Sequence, residues 1–262
     1  MKQNVRRCLF AGAVGMGLMV SLVATRFAIA ADERVAPSTQ PTAPVSANAA
    51  APVAQVNFVP DPSQVGGEAE GVVRVANLIY AGTKSSKCFA DHFLTRAEQD
   101  STISTSRRFH AVRLSSDELF EFPLAIMTGE GAFELPEAER QNLRRYVERG
   151  GFLLASAGCS SPDWDRSFRA EMAKVFPSQS LKTIELSHPV FHTVYDIKEL
   201  QAKNGTPRPL EGISIGERMG VLYAVEGLND TAHTTGCCCC GGNEITNAEQ
   251  INVNILAYAL LY

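Results

Sequence analysis

The chain predicts an α/β domain, a mainly parallel sheet with helices on both faces. Three observations carry that expectation. Residues 123–128 (Pro-Leu-Ala-Ile-Met-Thr) and 152–155 (Phe-Leu-Leu-Ala) are unbroken apolar runs. A strand covered on one face would alternate; these read as strands covered on both. Between them lies a segment of helical period with clear start and stop signals. Strand and helix then alternate, the order that builds a parallel sheet wrapped by helices.

Taken in order, residues 72–81 (Val-Val-Arg-Val-Ala-Asn-Leu-Ile-Tyr-Ala) read as a first strand ended by Gly82. Residues 89–99 have helical spacing through Phe89, Phe93 and Ala97, and 109–114 read as a second strand. A short helical turn comes next at 116–119, then the third strand at 123–128. Pro136 opens a helix, with Glu137 and Glu139 facing the positive end of its dipole. Leu143, Tyr146 and Val147 form its apolar stripe, and Gly150-Gly151 stops it. After the fourth strand, 163–175 form a helix with Trp164, Phe168 and Met172 on one side. Residues 182–186 read as an edge strand, 212–215 and 220–225 as strands. Residues 248–261 read as a closing helix with Ile251, Ile255, Tyr258 and Ala259 on one side.

The first 30 residues have the layout of an export signal: basic Lys2, Arg6 and Arg7, an apolar stretch at 8–24, and small residues at Ala28-Ile29-Ala30. The apolar stretch is short for a membrane span of ~20 residues, and Arg26 interrupts its continuation. The expected destination is therefore periplasmic or extracellular, with a retained N-terminal membrane anchor as the alternative. The Arg6-Arg7 pair also fits a twin-arginine signal; an ordinary secretory signal with two chance arginines is the other reading. Residues 31–66 form an Ala/Pro-rich linker that cannot bury enough apolar surface to offset its ordering entropy. The domain is expected over 67–262.

The whole chain carries a net charge of −4. The signal holds four of the 24 basic residues and none of the 28 acidic ones, which leaves the remainder at −8. That excludes nucleic acid or an anionic lipid surface as the expected partner. No membrane span is expected after cleavage, and envelope proteins are the partners an exported domain would meet.

Cys237, Cys238, Cys239 and Cys240 stand in a row between Gly236 and Gly241-Gly242. Thiols ligate metals, form disulfides or exchange electrons. Four adjacent thiolates cannot all reach one tetrahedral ion without severe backbone strain. Two of them with Cys88, Cys159 or His233 can hold a metal such as zinc. As a disulfide framework, the six cysteines beyond the signal allow 15 full pairings.

Ligands of an open parallel sheet bind beyond the carboxyl ends of its strands. Cys88 follows the first strand, Glu130 the third and Cys159 the fourth, so all three are expected on one rim. The plain alternatives are a solvated loop carboxylate for Glu130 and small buried apolar residues for the cysteines. His188 and His192 are four apart and can share a helix face as ligands; Pro189 between them favours two structural histidines, one capping the following turn. Ser156, Ser160, Ser161 and Asp163 lack the Gly-x-Ser-x-Gly elbow of a serine hydrolase. No Walker-type loop or dinucleotide fingerprint is present.

Several segments together resemble the bacterial family described as domain of unknown function 4159. They are residues 122–131 (Phe-Pro-Leu-Ala-Ile-Met-Thr-Gly-Glu-Gly), 143–154 (Leu-Arg-Arg-Tyr-Val-Glu-Arg-Gly-Gly-Phe-Leu-Leu), 165–169, Phe176-Pro177, 188–192 and 220–223, in the expected order. The resemblance implies a flavodoxin-like fold similar to that of the class I glutamine amidotransferases. Those enzymes place a nucleophilic Cys between glycines on a tight turn after a buried strand, with a His-x-Glu pair near the C-terminus. Here residues 152–160 occupy the comparable strand and turn, but Cys159 falls late, Ser160 replaces the second glycine and no His-x-Glu comes after it. The resemblance implies the fold and no reaction. The expected function is an exported, non-catalytic or regulatory ligand-binding module with a thiol-rich site. The alternative is a metal- or thiol-dependent hydrolase using the same rim.

Overall fold

The computed structural model describes residues 71–84, 88–233 and 243–262. Within them the strands are β1 (Val73–Ile79), β2 (Thr105–Arg113), β3 (Leu124–Gly129), β4 (Phe152–Ala157), β5 (Lys182–Thr183), β6 (Glu211–Ile215) and β7 (Arg218–Ala224). The helices are α1 (His92–Asp100), α2 (Glu137–Glu148), α3 (Pro162–Val175) and α4 (Ala248–Leu261). The strands make one seven-stranded sheet in the order β2-β1-β3-β4-β7-β6-β5. The first five in that order run parallel, and β6 and β5 extend the sheet antiparallel. This is the flavodoxin-like α/β fold expected.

Period-two alternation divides the strand side chains between two cores. Val75, Leu124, Ile126, Leu154 and Leu222 face α1 and α4; Ala76, Ala125, Met127, Leu153 and Tyr223 face α2 and α3. Because both faces are covered, every residue of β4 is buried, and its neighbours are β3 and β7. The unbroken apolar runs are thus the central parallel strands that they predicted.

α2 starts after Pro136, whose carbonyl accepts from Glu139 and Arg140, and Leu143 faces the sheet fully buried. Two glycines are required at its end. Gly150 has φ 108°, a region closed to most side chains. A Cβ at Gly151 would stand 2.3 Å from the Tyr146 ring. That ring is fixed by its hydroxyl, with the Phe122 carbonyl 2.9 Å and the Phe152 carbonyl 3.2 Å away.

Three details differ from the sequence reading. β2 begins at Thr105 rather than near 109, with a register shift against β1 and Arg107 at φ 57°. The edge strand β5 covers two exposed residues only. α4 is buried nearly all round rather than on one side, because residues 189–197 cover the face turned away from the sheet. Among the described residues, no helix is long and apolar enough to cross a membrane.

Candidate ligand site at the carboxyl rim

The strand order reverses at β1: the chain leaves it for β2 on one side and returns to β3 on the other. A crevice at such a switch point opens at the carboxyl ends of the strands. Four connections meet there: residues 80–84 and 88–91 after β1, 130–136 after β3, 158–161 after β4 and 225–233 after β7.

The floor of this rim is polar and buried. Thr128 of β3, Ser156 of β4 and Asn229 after β7 are fully buried. Asn229 Oδ1 accepts from the Ser156 hydroxyl at 2.7 Å and from the Thr128 hydroxyl at 3.4 Å. Ser156 Oγ in turn accepts from the Leu228 amide at 2.8 Å. The Asn229 carbonyl accepts from the Ala90 amide at 2.9 Å, which ties the loop after β7 to the loop before α1. Asn229 Nδ2 is buried with no hydrogen-bond partner among the described residues. Asn252 of α4 reaches the same loop, donating to the Leu228 carbonyl at 2.9 Å.

Above the floor, the Cys159 thiol donates to Glu130 Oε1 at 3.3 Å. Cys159 and Ser160 both have left-handed backbones, φ 50° and 51°. Non-glycine residues rarely hold that region unless their surroundings fix them. The fixing bonds are visible: Ser160 Oγ donates to the Asn243 carbonyl at 2.6 Å, and the Ser161 hydroxyl donates to the Glu130 carbonyl. Ser161 Oγ also caps α3 by accepting from the Trp164 amide at 3.3 Å. Gly129 is needed at the end of β3, since a Cβ there would lie 2.4 Å from Tyr80 Oη and 2.8 Å from Trp164 Nε1. Those two side chains are bonded to each other at 2.8 Å, and burial pushes the Tyr80 phenol up to about 12.

Residues 74–260 match the family model described as Domain of unknown function (DUF4159). The chain belongs to that family. No curated protein matches it.

In this DUF4159 domain, the expected rim residues Glu130 and Cys159 are brought together. Cys88 lies at the same end of the sheet, two residues before Ala90, and is disulfide-bonded rather than a thiol. Cys237 to Cys240 lie outside the described residues. His188 and His192 are held by local bonds elsewhere. His188 Nδ1 accepts from the Val190 amide at 3.2 Å, capping a short turn, and its ring packs on Tyr258. Burial pushes the His188 imidazole down. His192 stands 2.7 Å from Asp196 Oδ1 through Nδ1 and 2.7 Å from the Leu186 carbonyl through Nε2. His188 also lines a cavity of about 590 Å³ between β5, β6 and residues 177–180, which includes neither Glu130 nor Cys159.

A second group stands on the DUF4159 rim, of which the sequence pointed only to His233, there as a partner for the cysteine run. His92 opens α1, Asp230 and His233 come after β7, and Glu249 lies in the first turn of α4. Their ligand atoms all lie within 4.8 Å of one another. Glu244 stands beside it: Thr231 donates to its Oε2, and burial pushes its carboxyl up. The available signal was Asn229-Asp230 in the loop that follows a buried parallel strand.

Proposed function

We propose that this DUF4159 domain is an exported, non-catalytic ligand-binding module of the cell envelope, built on an amidotransferase-like version of the flavodoxin-like fold. The observation that carries the reading is the meeting of Glu130 and Cys159 over the buried Thr128–Ser156–Asn229 floor at the switch point. Polar groups from β3, β4 and the loop after β7 converge there, as a small polar ligand requires. Export is supported by the basic, apolar and small-residue layout of residues 1–30 and by the disulfide at Cys88, which suits an oxidising compartment. The twin-arginine route rests on Arg6-Arg7 alone.

One observation favours a second reading. Cys159 sits at φ 50° on a strand-to-helix turn, where a thiol-dependent hydrolase would hold its nucleophile. The deciding experiment is native mass spectrometry of the full chain incubated with the small-molecule fraction of the envelope. Wild type is expected to retain a bound species that Glu130→Gln and Cys159→Trp lose at unchanged melting midpoint. Turnover of glutamine or of a chromogenic ester by wild type, abolished in Cys159→Ser, would replace the binding reading with the enzymatic one.

A further inference from the structure

We infer that His92, Asp230, His233 and Glu249 form a binding site for a divalent transition metal of the zinc class. The inference stands apart from the rim reading above, since it uses neither Glu130 nor Cys159.

The four side chains converge from distant parts of the chain. His92 and Glu249 are 157 positions apart in sequence, yet His92 Nδ1 stands 2.6 Å from Glu249 Oε1. His233 Nδ1 stands 2.7 Å from Asp230 Oδ2. The two imidazoles bring these pairs together, stacked with ring centres 4.3 Å apart and planes within 10°. Four donor atoms from three separate elements therefore share one small volume.

Their donor chemistry suits a transition metal. Two imidazole nitrogens and two carboxylate oxygens are a familiar zinc donor set, whereas magnesium and calcium take oxygen ligands. With neutral imidazoles the set carries two negative charges, which a divalent ion balances. On binding, each neutral imidazole would keep its one proton on the ring nitrogen away from the ion and present the other nitrogen's lone pair to it. Four ligands ~2.0–2.1 Å from zinc on a tetrahedron stand about 3.3 Å apart. The widest separation of 4.8 Å must therefore close by ~1.5 Å, within reach of ring rotation.

The carboxylate side of the cluster is held in place by the fold. Asp230 has a left-handed backbone, φ 52°, and its side chain is only 10 % exposed, against 43 % for His233. Its loop is pinned by the Asn229 carbonyl, which accepts from Ala90 two residues before His92. The carboxylates thus form a fixed, partly buried base, and the two imidazoles form an accessible mouth. Two independent surface ion pairs would not need their rings stacked face to face.

The test uses the full chain with its disulfides intact, stripped with a chelator, and with its thiols alkylated by iodoacetamide so that sulfur ligation drops out. Zinc chloride is titrated by calorimetry, and cobalt(II) chloride is followed by visible absorption. The expected result is one ion per chain, with visible cobalt bands and no sulfur-to-cobalt charge transfer. His92→Ala and Asp230→Asn should each weaken zinc by more than the roughly 10–100-fold that loss of an outer partner costs. Asparagine tolerates the left-handed backbone of position 230, so the second variant should melt with wild type in the metal-free state. Glu249→Gln, which conserves shape, gives a further arm should His92→Ala melt early. Glu130→Gln and His188→Ala should bind zinc as wild type does. No zinc binding by the alkylated wild type, or wild-type affinity in Asp230→Asn and Glu249→Gln, would overturn the inference.

Discussion

Asn254 lies in the middle of α4 among Val253, Ile255 and Leu256, and it is fully buried. Its Oδ1 accepts from the amides of Val194 at 3.0 Å and Tyr195 at 2.8 Å, and its Nδ2 donates to the Tyr195 carbonyl at 2.8 Å. One side chain thus supplies what a neighbouring strand would, and lets an irregular segment cross the core. Asn254→Leu removes that partner and leaves two amides unpaired. The expected loss is about 1–3 kcal/mol for each donor that stays dry, read as a lower denaturant midpoint at constant slope. Glu171 of α3 is the charged counterpart. Burial works to raise its carboxyl, but Arg140 at 2.7 Å and Lys174 at 2.9 Å outweigh burial and hold it below the ordinary value of 4.5. A carboxyl depressed by folding contributes stability that is present above its unfolded value and fades as pH falls through its folded value. Stability measured from neutral pH downward should therefore begin to drop below about pH 4.5. Glu171→Gln should flatten that limb; an acid limb identical to wild type would show that Glu171 is not its source.

At the scale of elements, legibility followed burial. β3 and β4 were readable because cover on both faces erases the alternation that hides shorter strands. α2 was readable because Pro136, its acidic first turn and Gly150-Gly151 mark both ends. The beginning of β2 was not, since Ser106, Arg107 and Arg108 carry no apolar pattern and lie where the register shifts. α4 gave its bounds but not its burial: Asn252 and Asn254 fall outside the apolar side of Ile251, Ile255, Tyr258 and Ala259, and only the tertiary partners reveal that they are buried. The α2 reading has a direct check. Leu143 is fully buried between the helix and Ala125, Leu153 and Val221 of the sheet face. Leu143→Ala should cost about 2–5 kcal/mol, the range for truncating a buried leucine. A midpoint unchanged from wild type would place the wrong face of α2 against the sheet.

For the molecule as a whole, topology could be inferred from local patterns, but the candidate sites required three dimensions. Glu130 and Cys159 were legible because each directly follows a buried strand, and parallel strands end on one rim. His92, Asp230 and Glu249 were not, and His233 was legible only as a partner for the cysteine run, because no spacing rule joins residues as far apart as His92 and Glu249. The disulfide at Cys88 bears on the same rim. Cys88 opens the described part of the connection that leads from β1 into α1, where the Ala90–Asn229 bond also fastens it. Cys159 keeps its thiol against Glu130 and takes no part in that cross-link. Reduction should therefore loosen the loop before His92 while leaving the two apolar cores in place. The expected loss is about 2–4 kcal/mol, the usual contribution of a native disulfide, with the far-ultraviolet circular dichroism of the folded state retained. Cys88→Ser should lose the same stability, whereas Cys159→Ser should respond to dithiothreitol as wild type does. If reduced and oxidised wild type melt together, the sheet and its helices hold the rim without the cross-link, and the Asn229 network alone carries that task.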